Sequence, residues 1–242
     1  MRALIAVVCA LVLLSCSTTS NDHASTDASQ IVVGLGSVLD SPYVAGELRY
    51  RRVEDKIEGA FQFNLQPTVS IGEFLTQGSA PPSVRYRNAE EAGIVLIASL
   101  PAGAYEIFNY HARVRLFGVD KVFFATRDFS IPFVVGPNEV VYLGNFQINP
   151  IRERSASGSV VGIGPFFVIE ARTKADLALA KSAVPSLSIE KVRDATPDAK
   201  AIGSPSFVPI SEAEEARARF NSRMDTTTGA VPPRHEPTQN KP

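Results

Sequence analysis

Short runs in which apolar and polar residues alternate constrain this chain more than any other feature. In residues 58–65, Phe61, Phe63 and Leu65 recur at every second position, with polar or small residues between them. Because successive side chains of a β-strand point to opposite faces, this spacing predicts a half-buried strand. Similar runs fill residues 30–172, which also hold 18 of the chain's 20 aromatic residues. We therefore predict that this region contains the hydrophobic core.

The runs number seven or eight and follow one another with no helical pattern between them. This arrangement is typical of an all-β fold and predicts an antiparallel β-sandwich, with a closed barrel as the alternative. Residues 93–100 are apolar on both faces, as expected of a central strand. Residues 136–138, Gly-Pro-Asn, form a turn signal, so we expect residues 121–135 and 139–148 to pair as a hairpin.

Three further strand features are predicted. Pro132 lacks an N–H group to donate, so it indicates an edge strand or a bulge. Gly34 and Gly36 match the start of a dinucleotide-binding loop, but Leu39 stands in place of the third glycine, so we expect a strand with a close backbone approach. One face of the strand over residues 104–116 should carry Phe108, Tyr110, Ala112, Val114 and Leu116.

The first residues indicate export. Arg2 is followed by an unbroken apolar run over residues 3–14. At about 1.5 Å per residue this run extends roughly 18 Å, short of the ~30 Å membrane core, so we expect a cleaved leader. The Leu-Leu-Ser-Cys sequence at residues 13–16 resembles the lipobox of bacterial lipoproteins, which implies lipidation of Cys16. An ordinary signal-peptidase site is the alternative, although Leu13 is large for it.

Lipidation would bind the chain to a membrane almost permanently, because several acyl chains are buried. Ser17 after the cysteine resembles the sorting signal for the outer membrane, so we expect an anchor there, facing the periplasm. Cys9 leaves with the leader, residues 1–15, and no thiol then remains for a disulfide, a metal or catalysis. Residues 16–29 hold small and polar side chains and should form a flexible tether.

A single helix is predicted beside the strands, within residues 173–194. Thr173 is the expected N-cap, Asp176 completes a capping box and Pro185 ends the helix. The apolar stripe that should dock this helix on the sandwich consists of Leu177, Ala180 and Val184.

Residues 195–242 form a proline-rich segment that we expect to be a disordered tail. Seven of the chain's seventeen prolines lie after residue 196. Residues 211–224 nevertheless have the charge pattern of a helix, with acids early and arginines late. Because its apolar stripe is thin, we expect a transient solvated helix, with docking through Phe220 and Met224 as the alternative.

The sequence offers few catalytic candidates. His111 is the one histidine of the predicted domain, and no nucleophile elbow accompanies it, so we expect a surface or satisfied histidine. The acidic pairs at residues 54–55 and 90–91 lie in predicted loops, where solvated acids are the default. A hydrolase with a carboxylate pair that the sequence does not reveal remains an alternative. We expect no metal and no cofactor, because the other histidines lie in the tether and tail.

Charge excludes one class of partner and suggests another. The net charge of −1 gives no attraction to nucleic acid. Three strands, however, carry arginines two residues apart, so that each pair lies on one side of its strand. If those strands were neighbours, six arginines would form a face able to bind anionic envelope polymer such as lipopolysaccharide or peptidoglycan. Pairing with strand acids is the alternative, and the arginines are Arg49, Arg51, Arg85, Arg87, Arg113 and Arg115.

Several segments resemble known proteins. Residues 100–107, Leu-Pro-Ala-Gly-Ala-Tyr-Glu-Ile, resemble the strand-turn-strand signature of prealbumin-like sandwich domains, including carboxypeptidase-regulatory-like modules. Residues 129–133 and 139–146, with the helix that ends at Pro185, resemble a group of uncharacterised bacterial lipoproteins. The resemblance implies a β-sandwich in the cell envelope and transfers no catalytic residue. We therefore expect a non-catalytic, lipid-anchored accessory or interaction module with an envelope protein as partner, and a binder of anionic polymer as the alternative.

Overall fold

The computed structural model describes residues 28–39, 41, 43–65, 81–116, 119–154 and 160–221, and within them the protein is mostly β. Two sheets and two short helices, α1 (Thr173–Ala183) and α2 (Ala213–Asn221), make up these parts. The strands are β1 (Ser29–Val38), β2 (Tyr43–Arg52), β3 (Glu58–Asn64), β4 (Ser83–Arg87), β5 (Glu91–Leu100), β6 (Gly103–Leu116), β7 (Val119–Phe124), β8 (Ile131–Val135), β9 (Val140–Arg154), β10 (Val160–Glu170), β11 (Val192–Asp194) and β12 (Phe207–Pro209).

The larger sheet, sheet A, has the order β12-β10-β9-β1-β5-β4, with β11 paired to β9. It is mixed, because β1 and β11 run parallel to β9, and β12 runs parallel to β10. The all-β prediction is confirmed, whereas the predicted antiparallel arrangement of about seven to eight strands is wrong. The antiparallel prediction failed because a period-two pattern does not specify strand direction, and because β1 and β9 are far apart in sequence.

The smaller sheet, sheet B, has the order β3-β2-β6-β7, with β8 also paired to β6. All of its described pairings are antiparallel. Among the described residues β8 pairs with β6 alone, so the prediction that Pro132 marks an edge is confirmed. Neither sheet closes on itself within the described ranges, and the barrel alternative is wrong.

The hydrophobic core lies between the two sheets. Phe61 and Phe63 of β3 are 2% and 5% exposed, which confirms the predicted strand and its register. Leu48 and Ile107 of sheet B meet Ile31 of sheet A in the same cluster. Three aromatic rings of this core, Tyr110, Phe167 and Phe207, pack edge-to-face or stacked with one another.

The turn at residues 136–138 connects the two sheets and does not close a hairpin. β8 belongs to sheet B and β9 to sheet A, so the hairpin prediction is wrong. Asn138 does adopt the left-handed conformation expected of it, with φ 56°. The turn also holds the start of β1, since Ser29 Oγ donates to the Gly136 carbonyl and the Glu139 N–H donates to Ser29 Oγ at 3.1 Å. β1 thus begins at Ser29, one residue before the predicted domain boundary.

A β-bulge in β6 corrects the predicted face of that strand. The register with β2 shifts between Arg49 and Tyr50, which pair with Asn109 and Ile107. The extra residue reverses the alternation, so that Phe108 lies on the opposite face from the buried residues of the strand. Those buried residues are Tyr105, Ile107, Tyr110, Ala112 and Val114.

Both helices cover the outer face of sheet A, the face turned away from sheet B. Leu177 and Ala180 of α1 are buried against Val95 and Ile97 of β5, which confirms the predicted docking of this helix and the two-sided burial of its strand. Val184 packs partly buried at the helix end.

The second helix docks beside the first. Ala213 and Ala216 of α2 are 2% exposed, and the Phe220 ring packs on Phe166 with centroids 4.9 Å apart. The docked alternative is therefore correct for residues 213–221, and the transient helix is wrong. Residues 222–224 lie outside the described residues.

The prediction of a disordered tail from residue 195 is wrong up to residue 221. Ala199 and Phe207 are 4% and 3% exposed and belong to the core between the sheets. β12 adds to the edge of sheet A through Phe207. The leader, Cys16 and the tether up to residue 27 lie outside the described residues. Within the described parts, neither helix has the length and hydropathy needed to cross a membrane.

Candidate functional site

A cluster of polar side chains lies on the outer face of sheet A beneath α1. Three strands and the start of the helix bring it together, because outward positions of β4, β5 and β9 lie near one another, with only β1 between β5 and β9. We call it the outer-face polar cluster, and it consists of Tyr86, Glu91, Tyr142, Asn145, Arg172 and Asp176.

Asp176 has no exposed surface, and of the cluster's carboxyl groups it is the more deeply buried. Tyr142 donates its hydroxyl proton to Asp176 Oδ2 at 2.7 Å, and Asn145 Nδ2 donates to the same oxygen at 3.3 Å. Asp176 Oδ1 is buried and has no hydrogen-bond partner. Burial raises the pKa of Asp176 above its ordinary range, although the two donated hydrogen bonds oppose the shift.

Arg172 connects Asp176 to the rest of the cluster. Its Nη1 pairs with Glu91 Oε1, whereas its Nε lies 3.9 Å from Asp176 Oδ1. The guanidinium also stacks over the Tyr86 ring, 4.9 Å from the centroid. Its backbone N–H donates to the Tyr142 hydroxyl at 3.0 Å. Arg172 therefore lies between two carboxyl groups and makes its close ion pair with Glu91.

Polar contacts continue from this cluster to α2. Gln147 Nε2 donates to Glu91 Oε2 at 2.7 Å, and Arg217 Nη2 of α2 donates to Gln147 Oε1 at 3.2 Å. Arg217 Nε also donates to Asn149 Oδ1 at 3.0 Å. A continuous row of hydrogen bonds thus links the two helices across sheet A.

Three glycines make room for the cluster. A Cβ atom on Gly34 would come within 2.8 Å of Asp176 Oδ2 and closer to the Asn145 amide, and one on Gly36 would come within 2.8 Å of the Tyr86 hydroxyl. A Cβ on Gly93 would overlap the Tyr86 ring. The predicted close backbone approach at Gly34 and Gly36 is confirmed, and the approaching groups are polar side chains.

Sequence reasoning missed this cluster. Asp176 was expected as the acid of a capping box, but α1 begins after Arg172 without a side-chain cap, and Thr173 Oγ1 donates to Asp194 instead. Glu91 was expected in a solvated loop, but it is the first residue of β5 and is 7% exposed. The available signal was the pair of glycines in an otherwise apolar strand, which indicates space reserved for another group.

The six predicted arginines do not form one face. Arg85 and Arg87 lie on β4 in sheet A, while the other four lie on β2 and β6 in sheet B. The shared face of six arginines is therefore wrong. Arg113 and Arg115 pair in register with Val122 and Asp120 of β7.

The arginines of β2 are paired with acids on the outer face of sheet B. Arg49 Nη2 lies 2.6 Å from Glu58 Oε2, and Arg51 Nε lies 2.7 Å from Glu106 Oε1. Both guanidinium groups also lie over the ring of Phe108, at 5.6 Å and 4.6 Å from its centroid. Cross-strand pairing with acids, the alternative explanation of the arginines, is therefore observed for Arg49 and Arg51.

Apolar side chains extend this surface toward β7. Val122 is 50% exposed and Phe124 is 58% exposed. His111 lies beside them on β6, where its Nδ1 is 2.9 Å from Glu47 Oε1 and its ring meets Phe124 edge-on. The expected surface histidine with a partner is confirmed. We call this surface the open patch, defined by Arg49, Arg51, Phe108, His111, Val122 and Phe124.

Within the described residues, no group of three or more His, Cys, Asp or Glu side chains is placed to hold a metal ion. Glu91 and Asp176 both contact Arg172, and both are buried.

Comparison with known proteins gives little. No family model matches the chain, and no curated protein matches it. A solved leucine-rich repeat protein from Bacteroides thetaiotaomicron is similar over 82% of this chain and 29% of its own length, with 10% identity and a TM-score of 0.31. A score this low carries no argument about fold or function, so the prealbumin-like resemblance stays a prediction.

Proposed function

We propose that the chain is a non-catalytic, lipid-anchored β-sandwich protein of the cell envelope that binds a partner protein through the open patch. Cys16 would supply the membrane anchor, and the two packed sheets would form the binding module. The observation that carries the proposal is the exposure of Val122 and Phe124 on the outer face of sheet B, which no described helix covers.

The composition of the open patch favours a protein partner. Exposed aromatic side chains bury a large area at low conformational cost, and arginine beside an aromatic ring is typical of interface centres. Arg49 and Arg51 already have carboxylate partners, so an incoming phosphate would have to displace Glu58 and Glu106. A partner that contacts the Phe108 ring and the arginine stems would need no such exchange.

The enclosed carboxylates support a role other than hydrolysis. Asp176 has no exposed surface, and Glu91 is engaged with Arg172 and Gln147. A substrate has no access to either carboxyl group in this arrangement. The hydrolase alternative would require a pair elsewhere in the chain.

Site-specific photo-crosslinking tests the partner proposal. A photoreactive residue at position 124 should give a discrete protein adduct in intact cells, and the same residue at Ile210 should not. Ile210 is a matched control because it is 49% exposed and follows β12 of sheet A, away from the open patch. Adding Phe108→Ser should reduce the adduct at position 124. Equal adducts at both positions, or none at either, would contradict the proposal.

Metabolic labelling with a fatty-acid analogue tests the anchor separately. The wild-type chain should incorporate the label and fractionate with membranes, and Cys16→Ser should do neither. Equal labelling of the two would show that Cys16 is not the acylated residue.

A second candidate function is the binding of anionic envelope polymer, through the arginines of β4 alone. Arg85 and Arg87 are exposed on this edge strand, and no ion-pair partner for them lies within the described ranges. Arg85→Gln with Arg87→Gln should then weaken salt-sensitive binding to lipopolysaccharide or peptidoglycan fragments, because exposed charges are screened by salt. Arg49→Gln with Arg51→Gln should leave that binding unchanged. No measurable affinity of the wild type at low salt would remove this candidate.

A further inference from the structure

We propose that Asp176 is a pH-sensitive latch: its carboxyl group is neutral while α1 is docked on sheet A, and its ionisation loosens the helix from the sheet. The inference is independent of the partner and anchor proposed above. It rests on the position of one fully buried carboxyl group between a helix and the sheet that the helix covers.

Positive charge is scarce around Asp176. Arg172 is the one cation that approaches Asp176 within the described residues, and its ion pair is made with Glu91. Glu170 adds a third acid, and burial raises its pKa as well. Three carboxyl groups therefore surround one guanidinium, and repulsion among them favours a proton on the most buried one.

One oxygen of the buried Asp176 carboxyl group has no hydrogen-bond partner. An ionised Asp176 would leave a buried charge whose Oδ1 accepts no hydrogen bond, which is costly in a low-dielectric interior. A protonated Asp176 removes the charge and keeps both hydrogen bonds to Oδ2, from Tyr142 and Asn145. The geometry thus favours the neutral form.

Titratable or charged groups face Asp176 from several elements packed around it. The part of β1 nearest Asp176 is Gly34, which adds no such group. The titratable or charged groups are Tyr86 of β4, Glu91 of β5, Tyr142 of β9, Glu170 of β10, Arg172 before α1 and Asp194 of β11. Burial raises the pKa of Tyr86 to about 12, so this phenol stays neutral over the pH range in question.

The direction of the pH effect follows from proton linkage. Folding raises the pKa of Asp176 above its unfolded value of about 3.9, so the docked helix binds the proton more tightly than the released helix does. The contribution of Asp176 to docking is therefore fully favourable below the unfolded pKa. It is lost as pH rises toward the folded pKa and is constant above it.

Releasing α1 would uncover an apolar strip of sheet A. Val32, Val95 and Ile97 lie beneath the helix, together with Leu187 from the segment that follows it. The latch would therefore control access to a hydrophobic surface on the opposite side of the molecule from the open patch.

Hydrogen exchange of the full-length protein, measured by mass spectrometry between pH 4 and pH 8 and corrected for intrinsic rates, tests the latch. In the wild type, the opening equilibrium of α1 should increase with pH, about tenfold for each pKa unit that folding adds. Asn at position 176 has no proton to lose, so α1 opening in Asp176→Asn should not change with pH. Amides of α2 should show no such trend in either protein, and Glu215→Gln, an exposed acid of α2, should reproduce the wild-type curve.

Glu91→Gln provides a second variant should Asp176→Asn fail to fold. It removes a neighbouring negative charge and leaves Arg172 available to Asp176, which lowers the folded pKa of Asp176, so the rise in α1 opening should be smaller and should level off at a lower pH. A wild-type α1 whose opening does not depend on pH would overturn the proposal. A dependence of α1 opening on pH that is the same in Glu91→Gln as in the wild type would overturn it equally, and so would an Asp176→Asn protein that follows the wild type.

Discussion

Sheet A is covered on its outer face by α1 and α2, whereas the outer face of sheet B carries exposed Val122 and Phe124 and no described helix. Both faces contain an arginine paired with a glutamate. The Arg172–Glu91 side chains are 17% and 9% exposed, and those of Arg51 and Glu106 are 35% and 16% exposed. The same pair of residue types is therefore enclosed on one face and accessible on the other.

The difference shows how burial changes the meaning of an ion pair. Beneath α1 each charge has lost water and depends on its partner, so removing one member leaves an uncompensated charge. On sheet B water replaces a missing partner at little cost. A buried pair specifies how the helix docks, while an exposed pair leaves its aromatic neighbours available for contact.

Removing the cover of sheet A should have the largest effect. A chain that ends at residue 196 lacks Phe207 of the core and all of α2, and Phe→Ala in a core alone costs about 3–5 kcal/mol. We expect the free energy of unfolding to fall by more than about 5 kcal/mol in urea denaturation. A chain that ends at Asn221 keeps these contacts and serves as the control. A loss below about 1 kcal/mol in the chain that ends at residue 196 would show that residues 197–221 add nothing to stability.

Removing one arginine from each face compares the two ion pairs directly. Arg172→Met should lower the free energy of unfolding by about 3 kcal/mol at neutral pH, because Glu91 remains buried without a partner. Arg51→Met should lower it by about 1 kcal/mol or less, because Glu106 stays accessible to water. Equal losses in thermal or chemical denaturation would mean that burial does not separate the two pairs.

Filling the space above the polar cluster should have a smaller effect. Gly34→Ala places a methyl group against Asn145 and Asp176, and such overpacking costs about 1–3 kcal/mol. Gly136→Ala is the control, since its Cβ would approach only the flexible end of Glu139, at 3.2 Å. A Gly34→Ala protein as stable as the wild type would indicate that the cluster can shift without loss.

Strands were predicted best where one face is buried against the core. Phe61 and Phe63 of β3 fit this condition, since alternation alone fixes their inward positions. The same rule failed at Phe108, because a single extra residue in β6 reverses the alternation without a sequence signal. It also failed for β8 and β9, because two strands joined by a tight turn can belong to different sheets.

Residues 197–221 were harder to predict, because the residues that they contact are distant in sequence. β12 has three residues and follows a proline-rich stretch, so composition indicated disorder although Phe207 fills the core. Asp176 was equally ambiguous, since an acid in the first turn of a helix reads as a cap whether or not a tyrosine lies opposite. Only the positions of Tyr142 and Asn145 on β9, more than thirty residues earlier, distinguish the two cases.

The central position of β1 has a mechanical consequence. Ten residues of β1 pair with β5 on one side, from Ser29 to Val38, and β9 pairs with it on the other. A pull on the chain before Ser29, such as a membrane tether would transmit, acts along this strand. Because the inter-strand hydrogen bonds run across the strand direction, such a load is carried by many bonds in shear rather than by one bond at a time. The chain therefore enters the described domain through a strand that hydrogen bonds hold on both sides.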